Sequence, residues 1–343
     1  MGKYSVAIVG ATSLLGQEIF RTVEQRNFPV ESVSLYATDD TVGRTIYAGR
    51  NPYPVKAASK AAFQQKDLAF FVAGDDASRH LVPEALESGA TVIDSSSVFR
   101  QEPHVPLVVP EINPEDIQEH RGIISSPSCS TVLLNMVLYP LHRGNLIKRV
   151  IVSTYQSASG LGLQAMDELT NQTQQMLAGE IPKPNVFPHE IGFNVLPQVD
   201  VFLDNGYSKE EWQLLEETRK ILHNDDILVS ATCVRVPTLK GHCESATLEF
   251  GAEINPDIAG DILAKAPGVK VMDDTDINLY PHPRIAAGTD LVMVGRIRQD
   301  VLNLNGLVLW IVADNTRKGT ALNMVQIAEE IDKKGWLKAR GKR

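Results

Sequence analysis

The sequence predicts an α/β chain: a doubly wound parallel sheet joined to a second, mixed α/β domain. Three observations lead there. The apolar run "YSVAIVG" ends in glycine and opens into the helical pattern "SLLGQEIFRTVEQR". The runs "SVSLYA", "DLAFFVAG", "TVIDSSS" and "GIISSP" lack polar alternation and are spaced by helix-like stretches such as "ASRHLVPEALESG". Strands of that kind are covered on both faces and belong to a parallel sheet. From "KRVIVSTYQSASG" onward the strands alternate instead, as in "ILVSATCVRVP", "SATLEFG", "LVMVGRIRQD" and "NGLVLWIVAD", which marks a sheet with one face buried.

Taken in chain order, the first turn is "GATSLLG". Gly10 and Gly16 take the outer places of a three-glycine spacing, and Ser13 stands in the middle. Gly10 allows a tight turn, Gly16 lets helix and strand pack closely, and the amides of Ala11 to Leu14 are expected to face a pyrophosphate. Such corners also occur for purely structural reasons. Gly16 is followed by Gln17, so the turn is not a Walker A loop. The proline-rich "QEPHVPLVVPEINPED" is apolar enough to be an ordered connection. Beyond it come the helices "LQAMDELTNQTQQMLAG" and "SKEEWQLLEETRKIL" of the second domain, then an amphipathic last helix, "TALNMVQIAEEIDKKG". The expected domains are 1–128, with a final helix 317–343 packing back on it, and 129–316, whose sheet also offers a dimer face.

At 343 residues the chain has room for two domains. A hydrophobic fraction of 43% and a charged fraction of 22% are those of a globular protein, with disorder expected only in the basic tail "KKGWLKARGKR". The net charge of −9 argues against nucleic acid or an anionic membrane surface as partner. An anionic substrate would need a locally basic pocket. No signal peptide or membrane-spanning stretch is recognisable. Three cysteines form neither a disulfide framework nor a metal pair, which points to the reducing cytoplasm and to no metal site.

Several polar residues ask for a reason. Cys129, in "SPSCST", falls where an extended run becomes helical. Helix-terminal amides there lower a thiol pKa from its usual ~8.5, although a lone cysteine is also a common packing residue. Gln156 ends a strand before "SASGLG", where Ser159 and Gly160 form a second candidate phosphate turn; a water-exposed turn glutamine is the plain alternative. Arg235, in an apolar strand, needs a partner, either a salt bridge or the carboxylate of a substrate. His242, in the loop after Gly241, is an acid–base candidate or a surface histidine. Cys243 is a rival nucleophile set in a regular strand. Glu217 and Lys220 share a helical face, by default an exposed pair, and Arg100 after "DSSSVF" is by default a surface residue.

Together, "GATSLLG", "VPLVVPEIN", "SPSCST", "VSTYQSASGLG", "ATCVRVPTLKGHCE" and "VADNTRKG" closely resemble the bacterial type of the aspartate-semialdehyde dehydrogenase family, nearly end to end. The resemblance implies a Rossmann-like cofactor domain, an α/β catalytic and dimerisation domain, and a homodimer. It implies interconversion of L-aspartate 4-semialdehyde, phosphate and NADP with L-4-aspartyl phosphate and NADPH. That step serves the synthesis of lysine, threonine, methionine, isoleucine and diaminopimelate. Cys129 is then the nucleophile, Gln156 its orienting partner and His242 the acid–base group. Arg235 clamps the substrate carboxylate, Glu217 holds its amino group, and Arg100 and Lys220 serve phosphate. Gly10, Thr12, Gly16, Ser159, Gly160 and Asn315 match cofactor-contact positions, to which the turn amides add Ser13 and Leu14.

Two positions depart from the family pattern. Ser128 stands where asparagine is usual before the nucleophile. Asp40, in "YATDDTVGR", stands where users of NADP often carry a basic residue, which leaves Thr38 and Arg44 to receive a 2′-phosphate and keeps NAD in view. The competing readings are an N-acetyl-glutamyl-phosphate reductase-like enzyme and a catalytically silent paralogue acting as a binding scaffold.

Overall fold

A computed structural model describes residues 3–337. The chain divides into two compact units: one runs to Pro127 and resumes at Thr320, and the other is Ser128–Gly319.

The first unit opens with β1 (Tyr4–Val9), α1 (Leu14–Gln25) and β2 (Val30–Ala37). A hairpin of β3 (Thr45–Ala48) and β4 (Asn51–Ala57) follows, then β5 (Leu68–Phe71), α2 (Asp75–Glu87), β6 (Thr91–Asp94) and β7 (Ile123–Ser125). Among the described residues these strands form a seven-stranded sheet in the order β3-β4-β2-β1-β5-β6-β7, parallel except for the β3–β4 pair. β5 and β6 are buried at every position, as strands covered on both faces must be. The strand order reverses at β1, so the crevice beyond the carboxyl ends of β1 and β5 is the place for a ligand. The β3–β4 hairpin escapes a sequence reading because Pro52 and Pro54 interrupt its strand pattern. The proline-rich connection is ordered: Leu107 bridges Ser125, and the Asn113 side chain donates to Leu107 O at 2.9 Å and accepts from Val109 N.

The second unit begins with α3 (Cys129–Gly144), β8 (Ile147–Gln156), α4 (Leu163–Leu177) and α5 (Lys209–Leu222). It continues with β9 (Leu228–Arg235), β10 (His242–Phe250), α6 (Pro256–Ala264), β11 (Val269–Val271), α7 (Pro283–Ala286), β12 (Val292–Asp300) and β13 (Asn303–Ala313). Six strands in the order β11-β12-β13-β10-β8-β9 make a mixed sheet. Val150, Val152, Ala246, Leu248 and Ala231 are buried on one face, and the intervening residues are freer. His242 is the first residue of β10 and fully buried, where the sequence suggested a loop.

The chain ends in α8 (Leu322–Lys334), whose Met324, Ile327, Ala328 and Ile331 complete the first unit's core with Ile19, Phe20 and Val23 of α1. Gly335, at φ 68°, caps it in the left-handed conformation that glycine favours. Disorder was expected from Lys333 onward, yet Lys333 and Lys334 lie in the last turn of α8; residues 338–343, which end both the basic tail and the expected 317–343 helix, lie outside the described residues.

Candidate active site

Strand register decides which side chains of the second unit share a site. Gln156 ends β8 directly beside Arg235, the end of the parallel β9. Cys243 of the antiparallel β10 pairs with Tyr155, so His242 stands opposite Gln156. Gln156, Arg235 and His242 thus emerge from one end of the same face, and all three are buried. The exposed alternatives for Gln156 and His242 do not hold.

Cys129 is the first residue of α3, and Ser128 is its N-cap, with Oγ accepting the Thr131 N–H at 3.2 Å. Serine and asparagine are both good N-caps, so the cap survives the exchange at 128. The Ser128 N–H donates to Glu217 Oε2 at 2.8 Å and fixes the mouth of the helix against α5. Cys129 is partly exposed, whereas Cys233 and Cys243 are buried. Burial raises both of those thiols, Cys243 to about 12, and the rival nucleophile stays protonated.

The Gln156 Nε2 donates to Ser130 Oγ at 2.8 Å and approaches Glu210 Oε1 at 3.2 Å, while Ser130 Oγ donates to the same carboxylate oxygen at 2.9 Å. These bonds fix which end of the Gln156 amide is nitrogen. Sequence reasoning missed Ser130 and Glu210. Ser130 directly follows Cys129 in "SPSCST" and has the plain look of a helix-start serine. Glu210 was masked by Glu211, whose capping box with Ser208 gives the "SKEE" stretch a sufficient local role.

Arg235 Nη1 donates to Ser157 O at 2.9 Å, and among the described residues no carboxylate makes a salt bridge with it. Burial lowers its pKa, and negative charge at Cys129 opposes that shift. A Cβ on Gly160 would lie 2.7 Å from Arg235 Nη1 and 3.2 Å from His242 Nε2, so the missing side chain keeps the space before both groups open. His242 Nε2 is buried without a partner. Complete burial first, and Arg235 second, hold its pKa well below the usual histidine value. Asn315 Oδ1 gathers the surrounding turns, accepting from Ser159 Oγ at 3.0 Å, Gly241 N at 3.2 Å and Ser157 Oγ at 3.3 Å.

Glu217 is wholly buried, which corrects the default of an exposed helical pair with Lys220, itself half-buried one turn along α5. One strand step inward from His242, Glu244 is fully buried with neither carboxyl oxygen hydrogen-bonded. Burial, reinforced by Glu210, raises its pKa well above the usual carboxylate value. Burial is continuous from His242 through Glu244, so no alternation in "HCES" marks the carboxylate as inward.

In the first unit, Gly10 has φ 87°, and a Cβ on Gly16 would sit 2.2 Å from Gly10 O, so both glycines are needed. The expectation that all amides from Ala11 to Leu14 face a pyrophosphate is corrected. The Ala11 N–H donates to Tyr36 O and the Ser13 N–H to Gly10 O, because Ser13 in the middle position caps α1 and ties the turn to itself. The Thr12 and Leu14 amides lie outside those bonds, at the start of a twelve-residue helix whose N-terminus suits a phosphate. Thr12 Oγ1 bonds Thr41 Oγ1 at 2.7 Å, which links this turn to the segment after β2 that carries exposed Thr38, Asp40 and Arg44. The turn therefore fits a dinucleotide through fewer amides than expected. Arg100 is buried in this unit, and its Nη2 donates to Ser95 O at 2.6 Å. No group of three His, Cys, Asp or Glu among the described residues is placed to hold a metal ion.

A doubly wound sheet with a glycine turn at its switch point, followed by a unit presenting a thiol with a buried guanidinium and imidazole, has the plan of a cysteine-dependent dehydrogenase. Residues 5–120 match the semialdehyde dehydrogenase NAD binding domain, and residues 138–318 match the semialdehyde dehydrogenase dimerisation domain. Aspartate-semialdehyde dehydrogenase of Aquifex aeolicus is 48% identical over 97% of this chain and 99% of its own. That of Synechocystis is 45% identical over 97% and 98%. The crystal structure of aspartate semialdehyde dehydrogenase II from Vibrio cholerae complexed with ASA superposes with a TM-score of 0.94, at 40% identity, over 97% of this chain and 99% of that one. The chain belongs to the aspartate-semialdehyde dehydrogenase family.

Proposed function

We propose that this chain interconverts L-aspartate 4-semialdehyde plus phosphate with L-4-aspartyl phosphate through a thioester on Cys129. The carrying observation is Arg235: a buried guanidinium with no carboxylate of the described chain paired to it, beside the unpartnered His242 Nε2. A small substrate with a carboxylate at one end and a carbonyl at the other suits that pair, since a planar guanidinium binds carboxylate in two-pronged fashion.

Cys129, as thiolate at the α3 N-terminus, attacks the aldehyde carbon and forms the C–S bond. Gln156, its nitrogen end tied to Ser130 and Glu210, orients the adduct. Glu217 takes the substrate amino group while its Oε2 holds the Ser128 N–H. A bound nicotinamide dinucleotide supplies the hydride acceptor. Phosphate, served by Lys220, then cleaves the C–S bond and frees the thiolate. Arg100 keeps the phosphate role that the family pattern gives it. The first unit holds the dinucleotide by Gly10, Thr12, Ser13, Leu14 and Gly16, with Thr38 and Arg44 toward the 2′-phosphate of NADP. Ser159, Gly160 and Asn315 are the second unit's contributions. The protein works as a homodimer through its 138–318 domain, in the cytoplasm, where its three cysteines stay reduced.

The test is phosphate-dependent reduction of NADP and of NAD with aspartate semialdehyde as substrate, beside N-acetyl-glutamate semialdehyde. Turnover with the first substrate only is expected. Preference for the acetylated substrate, or no turnover with either, overturns the reading.

A further inference from the structure

The last residue of the second unit, Gly319, meets the first residue of that unit's first helix. β13 ends at Ala313, and the chain turns through Asp314 into a single π turn, Arg317–Ala321, ahead of α8. The Gly319 N–H donates to Asp314 O at 3.3 Å, a reach of five residues where an α-helix spans four. Single π turns of this kind recur at functional sites. A Cβ built on Gly319 would lie 2.9 Å from Cys129 Cβ, with Cys129 Cα and Leu133 Cδ1 at an ordinary 3.5 Å. The clash is with an atom fixed to the backbone, unlike that at Gly160, where the nearest atom ends a flexible arginine side chain. Neither side yields easily. The Asp314 carboxylate accepts from Thr316 N at 2.8 Å, Thr316 Oγ1 at 2.7 Å and Gly288 N at 2.7 Å, and Arg317 Nε donates to Asp290 Oδ1 at 2.6 Å. Across the contact, Glu217 holds the Ser128 N–H. Gly319 is not in the left-handed conformation, so its backbone does not require glycine. The space before Cys129 does.

We propose that Gly319 is a positioning residue for the nucleophile: its bare Cα is the stop against which Cys129 Cβ rests, and the absent side chain sets where the sulfur stands before Gln156, Arg235 and His242. The proposal rests on the reading of Cys129 as nucleophile given above. A methyl group at 319 has to move the first turn of α3, because the Asp314 turn is tied by the four bonds just described. The thiol moves with that turn. A reacting atom misplaced by about 1 Å loses on the order of a hundredfold in rate. Alanine is also a better helix former than glycine, so a glycine with a merely structural role would be replaced here without loss.

The full-length Gly319→Ala enzyme is compared with the wild type in phosphate-dependent turnover of aspartate semialdehyde and in alkylation of Cys129 by iodoacetamide across pH. Its kcat is expected to fall roughly a hundredfold. Alkylation should slow, and its midpoint should move to higher pH as the thiol leaves the α3 N-terminus. A variant that matches the wild type in turnover or in its alkylation profile overturns the proposal, because the sulfur then stands where it did. Thermal unfolding supplies a second test, in a cycle with Cys129→Gly, which removes the atom that a methyl group at 319 would meet. Gly319→Ala should lower the melting temperature by several degrees in the wild-type background and far less in the Cys129→Gly background. A Gly319→Ala chain that does not fold should fold once Cys129 is also glycine. Equal losses in both backgrounds, or failure to fold in both, overturn the proposal. Wild-type enzyme that keeps its turnover after complete alkylation of Cys129 overturns the nucleophile reading and the proposal with it. Inactivation by alkylation, with Gly319→Ala unaffected, overturns the proposal alone.

Discussion

The main-chain N–H of Ser128 donates to the Glu217 carboxylate at 2.8 Å, across 89 residues of sequence and one position ahead of Cys129. Glu217 is therefore a fastening for the nucleophile as well as the residue assigned to the substrate's amino group. Glu217→Ala leaves that buried N–H unsatisfied, at a cost of ~1–3 kcal/mol. Thermal unfolding should show the loss, and KM for aspartate semialdehyde should rise with it. An unchanged melting temperature would mean that water or a neighbour replaces the carboxylate.

Ser128 caps α3 through its Oγ. Ser128→Ala should cost about 1 kcal/mol in urea unfolding and lower kcat, because the first turn that aims Cys129 frays. Ser128→Asn should keep both stability and turnover. If asparagine is no better than alanine, the cap is not what the family's two residues have in common at this position.

Glu244 makes stability depend on pH in a definite direction. Its pKa in the folded protein is raised, by burial and then by Glu210, well above the 4.5 of the free carboxyl. Between these two values the folded state holds a proton that the unfolded state has lost. Stability is then full below about pH 4.5 as far as this group is concerned, and falls as pH rises, with a limiting slope of ~1.4 kcal/mol per pH unit. The fall ends once the folded carboxyl ionises. Glu244→Gln should flatten the stability–pH curve above about pH 4.5. Identical slopes would show that the carboxyl ionises in the fold without penalty.

Asp40 lies exposed in the segment after β2, close in sequence to Asp39, whose carboxyl is held below its usual pKa by hydrogen bonds from Thr41 and, more weakly, by Arg44. Negative charge there opposes a 2′-phosphate. Asp40→Arg should raise kcat/KM with NADP relative to NAD by about tenfold, the equivalent of ~1.4 kcal/mol. An unaltered ratio would place Asp40 away from the ribose.

Much of the site could be read from strand periodicity. Gln156 and Arg235 stand at the ends of legible strands, and the polar turn before α3 points to Cys129; His242 reads as a loop residue, and only the register of β10 puts it on the same face. Burial could not be read. Glu217 and Lys220 have the spacing of any surface pair, and only the packing of α5 shows Glu217 to be inside. Glu210 was indistinguishable from Glu211. In the first unit the glycines foretold the turn but not its donors, because Ser13 ties part of the turn to itself. The β3–β4 hairpin was lost to its prolines, whose strand role depends on neighbours the sequence does not name.

The central claim is a covalent bond to one sulfur. Enzyme mixed with aspartate semialdehyde and NADP in the absence of phosphate, quenched in acid and examined by intact-mass and peptide mass spectrometry, should carry an aspartyl acyl group on Cys129. The adduct should form in step with the first turnover of reduced cofactor and disappear when phosphate is added. Reduced cofactor appearing while Cys129 stays unmodified, or an acyl group on Cys243 instead, would contradict the account.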